Sequence, residues 1–154
     1  SGALREDAFM EAFEAVGFYG IRMVKRDEQP WQTVKGIEFR SVTVEAFKGK
    51  QGDCFERNQA VVYKGPFKKV LDDDGHAMER GKRYAVCDKT FNLYSNAPYA
   101  EHFELIEPRT EIQIEKAKPY DYAKGHLRHP RETKGMDYDA TTEASQCCEG
   151  GNCC

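Results

Sequence analysis

Long apolar runs are missing from this 154-residue sequence, in which stretches such as Ala60-Val61-Val62-Tyr63 are only strand-sized. Their absence leaves no candidate membrane helix, and no segment has the charged start and apolar centre of a secretory signal. Excess charge is missing too, since 23 lysines and arginines stand against 26 acids for a net −3. A near balance gives nucleic-acid binding no support from charge. Tryptophan occurs once, no internal repeat is present, and no Ser–His–Asp set or carboxylate pair stands out for local catalysis.

What is present is enough for a core. Apolar residues make up 40 % of the chain, nine of them phenylalanine, which suits one ordinary domain or a smaller domain with an appendage. Cysteine is concentrated at one place: Cys147, Cys148, Cys153 and Cys154, four of the six, fall in the last eight residues. Gly150 and Gly151 permit the positive φ that folds one pair back on the other, so four thiolates can surround one soft ion such as zinc or copper(I). The competing reading is an exposed end whose cysteines are free or oxidised. With no secretory signal, the cysteines read as thiols or ligands in a cytoplasmic protein and not as a disulfide scaffold.

Along the chain, Leu4, Ala8, Phe9, Ala12, Phe13 and Val16 share one face of an amphipathic helix. Glu6 and Asp7 sit in its first turn and Gly17 lies beyond its end. Ile21–Val24 alternates as a strand, and Trp31 in the following connector is expected to anchor the core. Ile37 to Phe47 reads as a strand with an irregularity near Ser41. Gln59–Lys64 is a second strand, and Asp72-Asp73-Asp74-Gly75 is read as a hairpin turn in preference to a calcium loop, whose acids would be spaced at alternate positions. Arg83–Cys87 is a strand, Asp88 the expected N-cap of a short helix, and Phe103–Ile106 a last strand before Pro108. The expected fold is α+β: an N-terminal amphipathic helix packed on an antiparallel, partly barrel-like sheet of about five or six strands.

After Pro108 the character changes. Glu111–Lys116 reads as a brief strand, whereas Lys118 to Thr142 is polar, rich in tyrosine and without periodicity. The expected division is therefore residues 1–108 as a folded domain and 109–154 as an irregular, cysteine-rich extension, disordered alone or laid across another surface. His126 and His129 have ligand-like spacing but no second pair, so they read as solvated loop residues. His76 reads as exposed and His102 as partly buried. Cys54 and Cys87 lie near a strand start and a strand end. They read either as buried small hydrophobes or, with the tail thiols, as a thiolate site for zinc or another soft ion.

Several stretches together resemble the C-terminal region of arsenite S-adenosylmethionine methyltransferases. They are Ser1-Gly2-Ala3-Leu4, Phe39-Arg40-Ser41-Val42-Thr43 with Phe47-Lys48, Tyr63-Lys64-Gly65, Val86-Cys87-Asp88-Lys89-Thr90 and Tyr99-Ala100-Glu101-His102-Phe103. The resemblance covers roughly residues 1–107, departs from the family where Asp88-Lys89 replaces Gly-Asn, and gives no counterpart for Arg109–Ser145. It implies a preceding class I domain that binds S-adenosylmethionine, with this chain as its C-terminal accessory domain and a chain cut from something longer. The sequence has no strand–GxGxxG–helix of its own, so no cofactor-binding or catalytic residue is expected here and the chain alone is expected to be inactive. The implied partners are that methyltransferase domain and a thiophilic small substrate, with no nucleic acid and no membrane. The alternative is a metal-binding or partner-docking module with a structural zinc–thiolate site.

Overall fold

A computed structural model of the chain describes residues 2–121 and 126–133. The fold is α+β, with an N-terminal helix and antiparallel strands, as the sequence implies. The strands are divided among small sheets, and among the described residues no barrel closes. Two compact units are present: one takes residues up to Gln51 together with Leu71–Ala77, the other Gly52–Val70 and the residues from Met78 onward.

In the first unit, helix α1 (Glu6–Glu14) packs on a ladder of β1 (Tyr19–Arg26) and β4 (Val42–Phe47). Its apolar stripe meets the ladder through Phe9, Phe13 and Phe18, whose rings pack edge to face at 5.3 and 5.5 Å. Gly17 ends the helix at φ +78°, where a side chain would be strained, and its N–H bonds Glu14. The expected irregularity near Ser41 is a break between β3 (Ile37–Phe39) and β4. β3 pairs with β2 (Gln32–Val34) through a two-residue turn, Lys35-Gly36, with both φ values positive as a type I′ turn requires. Trp31 is not a core anchor. It is 71 % exposed and touches the Phe39 ring edge, because this two-stranded ribbon has no layer over it within the unit. Among the unit's described residues only Gly20 is buried.

The second unit has the denser core. β6 (Ala60–Tyr63) is the middle strand, between β10 (Phe103–Ile106) and β9 (Arg83–Ala85), with Phe103 opposite Tyr63 and Ala60 opposite Ala85. A central strand covered on both sides accepts an unbroken apolar run, which is what Ala60-Val61-Val62-Tyr63 supplies. Helix α2 (Asp88–Tyr94) buries Thr90, Phe91, Leu93 and Tyr94, and the Tyr94 ring stacks on Phe103 at 4.2 Å. The strands β7 (Lys69–Leu71) and β8 (Ala77–Glu79) form the expected hairpin, whose tip, Leu71–Ala77, is counted with the first unit. The N-cap of α2 is Cys87 and not Asp88: the Cys87 sulfur accepts from Thr90 N, while the Asp88 carboxylate accepts from Phe55 N at 2.7 Å.

The expected strand at Glu111–Lys116 is a 3₁₀ turn, Ile114–Lys116. Beyond it the polar stretch is laid along the second unit. β11 (Lys118–Pro119) pairs with β5 (Phe55–Glu56), Leu127 bridges to Tyr84, and a last turn α3 (Pro130–Thr133) follows. Arg128, with 8 % of its side chain exposed, reaches Glu56 at 2.6 Å, the Gln59 carbonyl at 3.2 Å and Glu132 at 2.8 Å.

Candidate functional site

Of the six cysteines singled out, the structure describes two; Cys147, Cys148, Cys153 and Cys154 lie outside the described residues. Cys54 is half-buried and immediately precedes β5, whereas Cys87 is 1 % exposed at the start of α2. Their chain segments are held side by side by the Asp88–Phe55 hydrogen bond. Tyr120 adds a second tie, since its N–H donates to the Cys54 carbonyl at 2.9 Å and its hydroxyl to the Ala85 carbonyl at 2.8 Å. Burial, and secondarily the Glu56 carboxylate, pushes the Tyr120 phenol up to about 12. A neutral donor is thus kept beside the two thiol-bearing segments.

Alongside lies a cleft of ≈ 480 Å³ against the outer side of α2. Lys89 and Phe91 come from the helix, Leu105 and Glu107 from β10 and its end, and Arg57 and Gln59 from the turn before β6. The Arg57 guanidinium is held by the Ile112 carbonyl at 2.7 Å and by Glu111 at 3.1 Å. Gln59 is 7 % exposed, and its Oε1 has no hydrogen-bond partner. Periodicity could not single out Arg57, Gln59 or Tyr120, because they sit in turns and irregular segments.

In the first unit the acidic hairpin gathers Asp72, Asp74 and His76 with their ligand-type atoms within 4.8 Å of one another. The hairpin reading accounts for these groups. Asp72 accepts from His76 N, Asp74 N and the His76 ring, while Asp74 pairs with Lys50 and Asp73 accepts from Gly20 N. His76 is half-buried because of that ring contact. His102 is exposed, and His129 is exposed as expected, whereas His126 is half-buried with its Nδ1 shut away from solvent. The start of α1 and β3–β4 also enclose a wide cleft of ≈ 1010 Å³. Leu4, Phe9, Ile37, Phe39 and Val42 give it an apolar lining, and the arginines beside them are paired as Arg5–Asp7, Arg26–Glu6 and Arg40–Glu38.

A family described as a domain of unknown function, DUF8838, matches residues 50–138, more than half of the chain. The chain belongs to this family. The DUF8838 region begins where the second unit begins, and it contains Cys54, Cys87, Tyr120, Arg128 and the cleft beside α2. It also crosses position 108, taking in the polar stretch that ties itself to β5 and β9. The chain is also similar to an arsenite methyltransferase of Aquipseudomonas alcaligenes, 27 % identical over 117 residues, or 68 % of this chain and 34 % of that protein. It thus spans about a third of the length of the curated relative it matches. No solved structure matches it.

Proposed function

We propose that this chain is the C-terminal accessory region of a larger S-adenosylmethionine-dependent methyltransferase, docked through its first unit on the region that holds the cofactor. The observation that carries the docking is a unit with an amphipathic helix and an eight-residue strand in which no described residue except Gly20 is buried. Its exposed Leu4, Val24, Trp31 and Ile37 leave apolar surface that water disfavours. The similarity to part of an arsenite methyltransferase supports a catalytic region of that kind as the cover. The described residues do not fit S-adenosylmethionine themselves. The positive-φ glycines 49 and 52 lead into the two-residue strand β5 and not into a helix, and the paired strands β1–β4 and β10–β6–β9 are antiparallel.

In this reading Cys54, Cys87 and the tail thiols Cys147, Cys148, Cys153 and Cys154 receive a thiophilic acceptor such as As(III), in the reducing cytoplasm. No helix among the described residues is long and apolar enough to cross a membrane, and neither membrane nor nucleic acid enters the proposal. The test supplies this chain and the catalytic region of the longer protein as separate polypeptides. Sedimentation velocity should detect a one-to-one complex, and calorimetry should give no heat for S-adenosylmethionine with this chain alone. Tight cofactor binding by the isolated chain would overturn the reading.

A second reading, a structural zinc–thiolate module, is favoured by the side-by-side segments of Cys54 and Cys87. Native mass spectrometry of the reduced chain with Zn(II) and As(III) separates the two. Preference for As(III) supports substrate handling, and preference for zinc supports the module.

A further inference from the structure

We infer that a basic face of the second unit, carrying Lys64, Phe67, Lys68, Lys69, Arg80 and Lys82, docks the acidic terminal segment Asp137–Glu149 of the same chain. That segment lies outside the described residues, whereas the face and the path of the chain towards it lie within them. The inference concerns the second unit alone and stands or falls apart from the docking of the first.

The face holds uncompensated positive charge in a chain whose total is −3. Lys64, Lys68 and Lys69 are exposed and make no ion pair among the described residues. The Arg80 guanidinium donates to the Pro66 carbonyl at 2.9 Å, which leaves its charge unneutralised. The acid among them, Glu79, takes Lys82 at 2.9 Å, and its carboxyl is held below the usual range first by that lysine and more weakly by Lys69 and Lys68. Three lysines therefore share one carboxylate. The acids of the hairpin tip are counted with the first unit and engaged there, Asp73 by Gly20 N and Asp74 by Lys50. Arg80 N donates to the Lys68 carbonyl at 3.0 Å and Gly81 N to the Tyr63 carbonyl at 2.9 Å, which sets the cations on adjoining segments beside Phe67, itself 68 % exposed. The chain is led towards this face. Ala85 N donates to the His126 carbonyl at 2.7 Å and Arg128 N to the Arg83 carbonyl at 2.9 Å, so residues 126–128 run antiparallel to β9 and head for Lys82 and Arg80. Thr133 still holds to Arg83, whose guanidinium donates to its hydroxyl at 2.5 Å. Three residues separate Arg83 from Arg80, about 10 Å at most, while Asp137 can lie about 13 Å from Thr133 and Glu143 about 33 Å. Beyond Thr133 the sequence carries Asp137, Asp139, Glu143 and Glu149 against Lys134 alone, and Tyr138 between two of these acids offers Phe67 an aromatic partner. A short acidic segment suits such a face better than a long polyanion, which the net negative charge of the chain repels. Docked there, the segment brings Cys147 and Cys148 to the unit that holds Cys54 and Cys87, through contacts that salt can release.

The test is carbodiimide cross-linking of the 154-residue chain with its exposed thiols blocked, which joins a lysine amine to a carboxylate in contact with it as an amide. An equal mixture of ¹⁴N and ¹⁵N chains separates links within a chain from links between copies. Same-chain links from Lys68, Lys69 or Lys82 to Asp137, Asp139 or Glu143 are expected at about 10 mM salt, where screening reaches about 30 Å. They should fall about fivefold or more at about 1 M, where it reaches about 3 Å. Lys35, exposed on the first unit, is the control for random encounter and should stay near background. In ¹⁵N spectra, Asp137→Asn, Asp139→Asn and Glu143→Gln combined should shift the amides of Phe67, Lys68 and Lys69, while unchanged β6 and β10 establish that the variant folds. Links confined to mixed-isotope pairs would make a second copy the occupant and overturn the inference. Links that ignore salt or are no commoner than those of Lys35 do so too, as do Phe67–Lys69 amides that stay in place in the variant. Shifts at Lys68 and Lys69 with a thymidine oligonucleotide, in the absence of such links, would make the face a nucleic-acid site instead. None of these outcomes bears on cofactor binding or on association through the first unit.

Discussion

Cys87 does two jobs within one residue: it fills core volume at 1 % exposure, and its sulfur accepts from Thr90 N to cap α2. A cap of this kind is worth about 1 kcal/mol, so Cys87→Ala should lower stability by at least that much in urea denaturation, and Cys87→Ser, which keeps an acceptor, by less. Equal losses would assign the whole effect to packing. Tyr120 offers a pH signature. Its folded value of about 12 lies above the ordinary 10, so the unfolded chain releases the phenolic proton first. The stabilisation is therefore complete below pH 10 and is lost as pH rises towards 12. Comparing wild type with Tyr120→Phe between about pH 9 and 12 cancels the other titrating groups. Their stability difference should shrink across that window, and a constant difference would mean that Tyr120 titrates alike in both states.

At the scale of elements, Arg128 is the tie that fastens the polar stretch to the second unit. Arg128→Met removes the charged partner of Glu56, which keeps only the Asn58 N–H among the described residues, and one of the two donors to the Gln59 carbonyl, a loss of about 1.5–3 kcal/mol. Hydrogen exchange should then quicken first at Ala85 and Arg128, whose N–H groups bond across that seam. Glu132→Gln, at an exposed partner, should change stability by less than about 1 kcal/mol. These elements also mark where the sequence could be read. The strands β6 and β10 and the helix α1 announce themselves by apolar pattern, and the hairpin at Asp72–Gly75 by turn chemistry, because each is a local property. Arg128, Tyr120 and β11 act through partners some 35 to 72 positions away, and no periodicity records such ties. Trp31 misled for a related reason: a large aromatic predicts burial only where some layer covers it. The same holds at the site. Cys54 and Cys87 could be picked out as thiols, whereas the hydrogen bonds that align their segments, and the unpartnered Gln59 oxygen, exist only in the folded chain.

At the scale of the whole molecule, the two units differ in kind: one has a closed core around Tyr94 and Val61, the other an apolar stripe with almost nothing shut from water. Ile37 tests that difference because it is 64 % exposed and lines the wide cleft of the first unit. A substitution at so exposed a position should alter stability by no more than about 0.5 kcal/mol, so Ile37→Lys should melt like wild type. If the face is covered by a catalytic region, burying that isoleucine contributes roughly 1.5–3 kcal/mol to association, and the variant should dissociate at least about tenfold more readily in sedimentation velocity. Phe67→Lys is the matched control, since Phe67 is as exposed but belongs to the second unit, and it should leave association unchanged. Equal weakening by both would point to a general loss of solubility. A concentration-dependent dimer of this chain alone, abolished by Ile37→Lys, would instead make a second copy the cover, and the methyltransferase reading would lose the observation that carries it.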